Sequence, residues 1–292
     1  MTRRALKARS ADAPMLFPAL EMHYPRGQRV SDDEFAIRML SPGLRMAAHA
    51  MAWQPLRGLL ARSVDKQMPG FWGGVVARKR YADEQVVDAL SAGIKQFVIL
   101  GAGFDTRAFR LIARAGADAF EVDLPENSAR KKALIERLFG GVPASIELVA
   151  VNLETGDLEN SLVTQGFQSN QPTMYVIEAV TPYLSHDAIA RVFAVLAKAP
   201  TSSRLVFTYI LREFLEGKQL YGWDKAYQRW VVKEGIYRFG LSPAGVGDFL
   251  RQYGWTECEQ VGSAEYRARY FEPAGRDLTG IDVERFVAAQ KA

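Results

Sequence analysis

The chain has 292 residues, 48% hydrophobic and 24% charged, which is ordinary for a globular protein with a large core. Its one cysteine, Cys258, excludes an internal disulfide and a cysteine-based zinc site, and the three histidines are too far apart in sequence to suggest metal ligands. Arg3, Arg4, Lys7 and Arg9 account for the net charge of +4, so the remainder is about neutral. This distribution argues against a nucleic-acid partner.

The basic N-terminus predicts a flexible tail over residues 1–30. Arg3 and Arg4 resemble the start of a twin-arginine export signal, but Asp12, Pro14 and Pro18 interrupt the apolar stretch that such a signal requires. No run approaches the roughly 18 apolar residues of a membrane-spanning helix. We therefore expect a cytoplasmic protein without a membrane partner.

Residues 31–82 carry apolar side chains at helical spacing, among them Phe35, Leu44 and Trp53, before the first strand signal. We interpret this segment as a helical N-terminal lid. Residues 83–292 then alternate between helical and strand patterns, which predicts right-handed βαβ units and a parallel sheet. The predicted parallel strands are Gln96–Gly101, Ala119–Leu124, Ile146–Leu153, Met174–Val180 and Leu205–Ile210.

The last two predicted strands, Thr256–Val261 and Arg267–Phe271, are joined by a link too short for a crossover helix, which predicts an antiparallel pair. A parallel sheet with a terminal antiparallel hairpin indicates an α/β fold of the class I methyltransferase type, a Rossmann-like sheet. An aromatic-rich insertion over about residues 211–241 follows the fifth strand. We interpret it as a cap on the N-terminal helices, as the wall of an apolar pocket, or as both.

A glycine loop follows the first predicted strand in the segment Gln96–Leu111, which reads QFVILGAGFDTRAFRL. Gly101-Ala102-Gly103 lets the backbone turn sharply and approach a ligand. Thr106 stands where the dinucleotide fingerprint needs a third glycine, so the loop favours a cofactor without phosphates. Asp123 ends the second predicted strand and can accept hydrogen bonds from ribose hydroxyls, with Glu121 on the same side of the strand as the alternative acid.

Five sequence blocks, in order, resemble the leucine carboxyl methyltransferase family. The resemblance is strongest to its bacterial branch of S-adenosylmethionine-dependent O-methyltransferases, which includes polyketide-tailoring enzymes. The blocks are residues 77–83 (ARKRYAD), 93–111 (GIKQFVILGAGFDTRAFRL), 121–125 (EVDLP), 152–153 (NL) and 177–184 (IEAVTPYL). The resemblance covers about residues 30–275.

The resemblance implies S-adenosylmethionine as the cofactor. It places Arg78 at the methionyl carboxylate, Asp123 at the ribose and Glu178 near the methionyl amine. The implied cofactor-binding residues are Arg78, Gly101, Ala102, Gly103, Asp123, Leu124, Asn152, Leu153 and Glu178. On the residues alone, Arg78 could instead form a surface ion pair with Asp83, and Glu178 could belong to a buried polar network.

One implied contact departs from the family pattern. Asn152 and Leu153 would flank the adenine, but the family usually has Asp-Leu at these positions. An amide oxygen can still accept a hydrogen bond from the adenine amino group. We therefore expect binding with altered strength.

For the acceptor side, the resemblance implies that Tyr183 and Arg78 orient the nucleophile. His186 is the only histidine near a predicted strand end and is the candidate general base. Ser185 is predicted to cap the next helix, which places His186 in an exposed first turn and favours a structural role.

The predicted function is O-methylation of a carboxylate or hydroxyl on a small, largely apolar acceptor, for example a polyketide or another secondary metabolite. The alternatives are a protein C-terminal carboxyl methyltransferase, an NAD(P)-dependent reductase and a non-catalytic cofactor-binding protein. No metal site is predicted, and the oligomeric state does not follow from the sequence.

Overall fold

The computed structural model describes residues 13–292, and a single sheet forms its centre. Its strands are β1 (Gln96–Leu100), β2 (Asp118–Asp123), β3 (Ile146–Ala150), β4 (Thr173–Ile177), β5 (Arg204–Leu211), β6 (Gly240–Leu241), β7 (Trp255–Val261) and β8 (Glu284–Lys291). They run in the order β3-β2-β1-β4-β5-β8-β7, with the short β6 paired to the end of β5.

Strand direction follows the predicted class. Strands β1 to β5 pair in parallel, and β8 is antiparallel to both β5 and β7. Every residue of β1 and β4 is buried, as expected for central strands of a sheet that is covered on both faces. The predicted parallel sheet with a terminal antiparallel hairpin is confirmed.

One strand of that hairpin was assigned to the wrong residues. Arg267–Phe271 forms a π-helical turn after a short helix, and the true partner of β7 is β8. The alternation of arginine and aromatic residues imitates a strand, but Tyr266 and Tyr270 are four residues apart, which is helical spacing. Their rings stack with centroids 6.1 Å apart.

Between residue 13 and the first strand, the structure has five α-helices: α1 (Leu16–Glu21), α2 (Ala36–Met39), α3 (Pro42–Ala50), α4 (Gln54–Gln67) and α5 (Phe71–Ser91). The predicted boundary between residues 82 and 83 lies inside α5, which is continuous. Within residues 13–292, none of the helices combines the length and the apolar character needed to cross a bilayer.

The predicted tail over residues 1–30 is partly folded. Residues 1–12 lie outside the described range, but α1 packs into the core and Glu21 is fully buried. The Glu21 carboxylate accepts hydrogen bonds from the backbone of Val30, the indole of Trp72 and the guanidinium of Arg276. These contacts fix α1 to α5, so the second half of the predicted tail belongs to the folded body.

The remaining helices cover the two faces of the sheet. They are α6 (Pro125–Phe139), α7 (Leu158–Thr164), α8 (His186–Leu196), α9 (Arg212–Leu215), α10 (Asp224–Ala226), α11 (Val246–Arg251) and α12 (Ser263–Tyr266). Successive residues of β1 enter different apolar clusters: Phe97 packs with the N-terminal helices and Val98 with α7 and α8. The sheet therefore separates two cores, and its carboxyl edge lies between them.

The aromatic insertion connects the N-terminal helices to this edge. Its Trp223 ring lies 5.9 Å from Phe71 of α5, and its Trp230 ring lies 5.4 Å from Tyr237. Tyr237 in turn contacts Tyr183 at 5.3 Å. The insertion thus caps the N-terminal helices and contacts Tyr183 at the strand edge, but none of its residues lines the cleft described below, so its role as a pocket wall stays a prediction.

Candidate active site

A cleft opens at the carboxyl ends of β1, β2, β3 and β4. All nine residues predicted to contact a cofactor line it, and so does Tyr183. The structure therefore brings these ten residues together, while their individual roles remain predictions. The cleft also contains residues that the sequence did not single out: Pro14, Met15, Lys79, Ile99, Leu100, Phe104, Asp105, Asn127, Val151, Glu154, Ala179, Val180 and Leu184.

The glycine loop forms the floor of the cleft. Gly101 and Gly103 have φ values of +69° and +48°, a region that residues with a side chain rarely adopt. A Cβ atom on Gly101 would also lie 2.2 Å from a methyl carbon of Val180. Glycine at position 101 is therefore required by both the backbone and its neighbour.

Asp123 is held rigidly at the end of β2. Its Oδ2 accepts a hydrogen bond from the Gly103 backbone at 2.5 Å, and its Oδ1 accepts from the Leu124 backbone at 2.6 Å and the Asn127 side chain at 2.8 Å. A carboxylate has about four lone-pair sites. Three are occupied, so Oδ2 can accept one further hydrogen bond from a ligand without loss of these contacts.

Glu121 has a different position. It is 1% exposed, does not line the cleft, and its Oε2 lies 2.5 Å from the Lys131 ammonium. Burial raises the pKa of Glu121 to about 7, and Lys131 opposes that shift. Glu121 is a structural acid, and Asp123 is the acid at the cleft.

Asn152 uses its side chain to shape its own loop. Its Oδ1 accepts a hydrogen bond from the Glu154 backbone at 2.9 Å, an arrangement typical of Asx turns. The oxygen keeps one lone pair for a ligand, and the amide nitrogen adds a donor that an aspartate would lack.

Arg78 of α5 lines the cleft and is 5% exposed. Its Nε is 2.9 Å from Glu178, and its Nη1 is 2.8 and 3.1 Å from the two carboxylate oxygens of Glu284. Burial alone lowers the pKa of Arg78, but Glu284 and Glu178 outweigh it and leave the pKa above its usual value. Arg78 is therefore a permanently charged, fixed cation.

The alternative pairing of Arg78 with Asp83 is wrong. Asp83 instead accepts from Arg107 at 2.7 Å and from Arg110 at 2.6 Å. Glu284 was missed because it lies in β8, the strand assigned to the wrong residues.

Glu178 lies among three cations. Besides Arg78, its Oε2 lies 2.7 Å from Arg107 Nη1 and 3.6 Å from Lys79 Nζ. Burial raises the pKa of Glu178, but the three cations together hold it well below its usual value. Glu178 is therefore ionised at neutral pH and belongs to a buried polar network, as one interpretation of the sequence proposed.

Asp105 completes this network. It accepts from Lys79 at 3.1 Å and from the Arg107 guanidinium. Burial opposes ionisation, but Arg107 and Lys79 lower the pKa of Asp105 well below its usual value. Asp105 and Glu178 are therefore poor proton acceptors at neutral pH.

Tyr183 and Tyr237 form a hydrogen-bonded pair beside Arg78. Burial is the main reason that the pKa of each hydroxyl lies above its usual value. Both are therefore neutral hydrogen-bonding groups at pH 7.

His186 is not brought to the cleft. It is exposed in the first turn of α8, and its ring contacts Phe239 at 5.5 Å. Ser185 accepts a hydrogen bond from the Ala188 backbone at 3.1 Å, which confirms the predicted helix cap. Its position favours the structural role.

The sheet order, the antiparallel last strand and the cleft define the class I methyltransferase fold. A solved structure described as a methyltransferase from Thermobifida fusca covers 82% of this chain and 89% of its own, with a TM-score of 0.57 and 19% identity. A DUF574-family protein from Streptomyces avermitilis covers 88% and 97%, with a TM-score of 0.57 and 16% identity. At these identities the similarity shows the fold.

A family model and two sequence relatives show which family the chain belongs to. The leucine carboxyl methyltransferase family model matches residues 13–197, and the chain belongs to this family. One relative is a Frankia alni protein described as an S-adenosyl-L-methionine-dependent methyltransferase. It is 31% identical over 217 residues, which are 74% of each chain. A Mycobacterium avium protein with the same description is 41% identical over 201 residues, 65% of this chain and 62% of that protein.

The protein is thus an S-adenosylmethionine-dependent methyltransferase, and the reductase alternative is wrong. The residues of the cleft fit the cofactor chemically. Arg78 Nη2 makes none of the ion-pair contacts described above, and Asp123 keeps one acceptor site. A carboxylate and a ribose hydroxyl would match these two groups.

Proposed function

We propose that this enzyme transfers a methyl group to an oxygen of a small, largely apolar acceptor, for example a polyketide or another secondary metabolite. The observation that carries the proposal is the mixed composition of the cleft lining. Apolar side chains of Pro14, Met15, Phe104, Val180 and Leu184 line the same cleft as the polar side chain of Tyr183. Such a mixture suits an acceptor with an apolar body and one polar group.

We also propose how the cleft holds its cofactor. Arg78 binds the methionyl carboxylate, the loop Gly101–Gly103 contacts the chain between the two ends, and Asp123 accepts one ribose hydrogen bond. Leu124 lies next to the ribose, and Asn152 and Leu153 flank the adenine. Glu178 already faces three cations, so we assign it to holding Arg78 as well as to the region of the methionyl amine.

S-adenosylmethionine supplies an activated methyl group, and the acceptor oxygen must approach that methyl carbon in line with the bond to sulfur. Tyr183, supported by Tyr237, can donate a hydrogen bond that fixes this oxygen. The raised pKa of both tyrosines keeps their hydroxyls protonated at neutral pH, and the lowered pKa of Asp105 and Glu178 makes these carboxylates weak bases, so none of the four is suited to accept a proton. The site therefore favours an acceptor that is already ionised, a carboxylate, over an alcohol that needs a general base.

Product analysis tests the proposal. The enzyme is incubated with S-adenosylmethionine that carries a labelled methyl group and with extracts of the cells that make it. We expect the label in extractable small molecules, each heavier than its parent by one methylene unit and released by mild alkaline ester hydrolysis. Label that stays with protein would instead favour C-terminal carboxyl methylation, and alkali-stable label would favour a hydroxyl acceptor. We also propose that the enzyme acts in the cytoplasm, as the sequence predicts.

A further inference from the structure

Lys79 is a second cation at the end of the cleft where Arg78 lies. It follows Arg78 on α5, lines the cleft, and is 8% exposed. Its ammonium lies 3.1 Å from Asp105 and 3.6 Å from Glu178. The sequence did not single it out because a lysine on a helix is usually a solvated surface residue.

Charge balance gives Lys79 a consequence for ligand binding. Lys79 lies against two carboxylates, Asp105 and Glu178, whose pKa values are held low by the surrounding cations, and Arg107 is shared with a third carboxylate, Asp83. Loss of the Lys79 charge therefore leaves this buried network with one more uncompensated negative charge. It would then repel any ligand carboxylate placed beside Arg78, and burial weakens screening by salt.

The number of available N–H donors also favours binding of a ligand carboxylate by Lys79 and Arg78. An ammonium has three N–H donors, and Lys79 donates one hydrogen bond to Asp105 at 3.1 Å, while Glu178 at 3.6 Å is an ion-pair partner beyond hydrogen-bond distance. Arg78 directs Nε and Nη1 at its two carboxylates, which leaves Nη2. The two neighbouring residues together can therefore offer one donor to each oxygen of a carboxylate.

We propose that Lys79 binds the methionyl carboxylate of the cofactor jointly with Arg78. The inference rests on the proposed position of that carboxylate at Arg78. Lys79 also neutralises the carboxylates beneath the cleft, so its removal weakens binding both by a lost hydrogen bond and by uncompensated negative charge.

Truncated ligands separate this role from a purely structural one. Isothermal titration compares S-adenosylhomocysteine with 5′-methylthioadenosine, which lacks the amino-acid end, and with S-adenosyl-3-thiopropylamine, which lacks only the carboxylate. For Lys79→Gln we expect S-adenosylhomocysteine binding to weaken by about 10- to 100-fold, the usual range for a hydrogen bond to a charged group. The affinity for 5′-methylthioadenosine should stay within about threefold of wild type. S-adenosyl-3-thiopropylamine should not bind more weakly than to wild type, because the uncompensated negative charge attracts its ammonium.

Three variants complete the test. Lys79→Arg restores the charge and should recover most of the lost affinity. Arg80→Gln removes an exposed cation next to Lys79 and should change no affinity. Arg78→Gln should show the same ligand selectivity as Lys79→Gln.

The outcomes are distinct. Selective loss in Arg78→Gln but not in Lys79→Gln would overturn the role of Lys79 and leave the proposed cofactor position intact. Equal loss of all three ligands in Lys79→Gln would show a structural role and overturn the inference. If neither variant discriminates between the ligands, the position of the carboxylate at Arg78 is itself wrong.

Discussion

Glu284 and Arg78 are 206 positions apart in the chain, yet one carboxylate of β8 engages Nη1 of the Arg78 guanidinium with both of its oxygens. The Glu284 side chain is 11% exposed and that of Arg78 is 6% exposed. A guanidinium held at Nε by one acid and at Nη1 by another cannot rotate freely. The last strand of the sheet thus fixes the orientation of a residue on the cleft wall.

Substitution Glu284→Gln should therefore affect the cofactor more than the fold. Glutamine keeps one hydrogen bond to Arg78 but removes the charge. We expect S-adenosylhomocysteine affinity to fall by about 3- to 10-fold and the free energy of unfolding to fall by about 1–3 kcal/mol. Titration calorimetry and urea unfolding measure the two effects.

The matched control is Glu272→Gln, which removes an exposed acid paired with Arg267. It should leave both quantities unchanged within about 0.5 kcal/mol. Unchanged affinity in Glu284→Gln would show that Glu178 alone orients Arg78.

The sequence predicted those parts of the site that depend on local patterns. Gly101, Gly103 and Asp123 follow strands with clear apolar signals, and the geometry of a parallel sheet brings such strand ends to one edge. The family blocks added Arg78 and Glu178. All of these residues line the cleft.

The parts that were missed depend on contacts between distant segments. Strand β8 reads ERFVAAQK, with two alanines and little β-branching, and it is stabilised by pairing with β5 and β7 on either side. Glu284 could not be found without that strand. The partners of Arg78 and Asp83 likewise follow from tertiary packing, which pairs Asp83 with Arg107 and Arg110.

Ala179, which follows Glu178 at the end of β4, has a φ of +56°. This left-handed conformation costs an alanine about 1–2 kcal/mol, and glycine avoids the cost while losing about 0.5–1 kcal/mol to the entropy of the unfolded chain. We therefore expect Ala179→Gly to raise the free energy of unfolding by about 0.5–1 kcal/mol, measured by urea denaturation.

A helical alanine gives the opposite sign as a control. Ala133 is exposed in α6, and Ala133→Gly should lower the free energy of unfolding by about 1 kcal/mol. If Ala179→Gly destabilises as much as this control, the hydrogen bond from the Ala179 backbone to Thr208 determines the conformation without strain.

We predict that buried Glu121 makes the free energy of unfolding depend on pH. Burial raises its pKa to about 7 in the folded state, against an ordinary value of 4.5. Between about pH 4.5 and 7, Glu121 is therefore protonated in the folded state and ionised in the unfolded state. This difference in proton binding lowers the free energy of unfolding as the pH rises from about 4.5 through 7. We expect wild type to lose up to about 3 kcal/mol over this window.

The variant Glu121→Gln should flatten that slope, whatever its effect on stability at a single pH, because glutamine does not titrate. Glu136→Gln, an exposed change on α6, should keep the wild-type slope. Urea denaturation at several pH values between 5 and 8 measures all three proteins, and equal slopes would show that Glu121 remains ionised through its ion pair with Lys131.

We expect substitution of Tyr183 to slow catalysis and substitution of His186 to leave it unchanged. Tyr183 lines the cleft, whereas His186 is exposed on α8 outside the lining. If the Tyr183 hydroxyl orients the acceptor oxygen, Tyr183→Phe should lower kcat/KM for the acceptor by about 10- to 100-fold while S-adenosylhomocysteine affinity stays within about twofold. His186→Ala should leave kcat/KM within about twofold. Steady-state kinetics with the acceptor found by product analysis measures kcat/KM for both variants. A large loss of kcat/KM in His186→Ala, with little change in Tyr183→Phe, would instead indicate that His186 acts as a general base and would favour a hydroxyl acceptor.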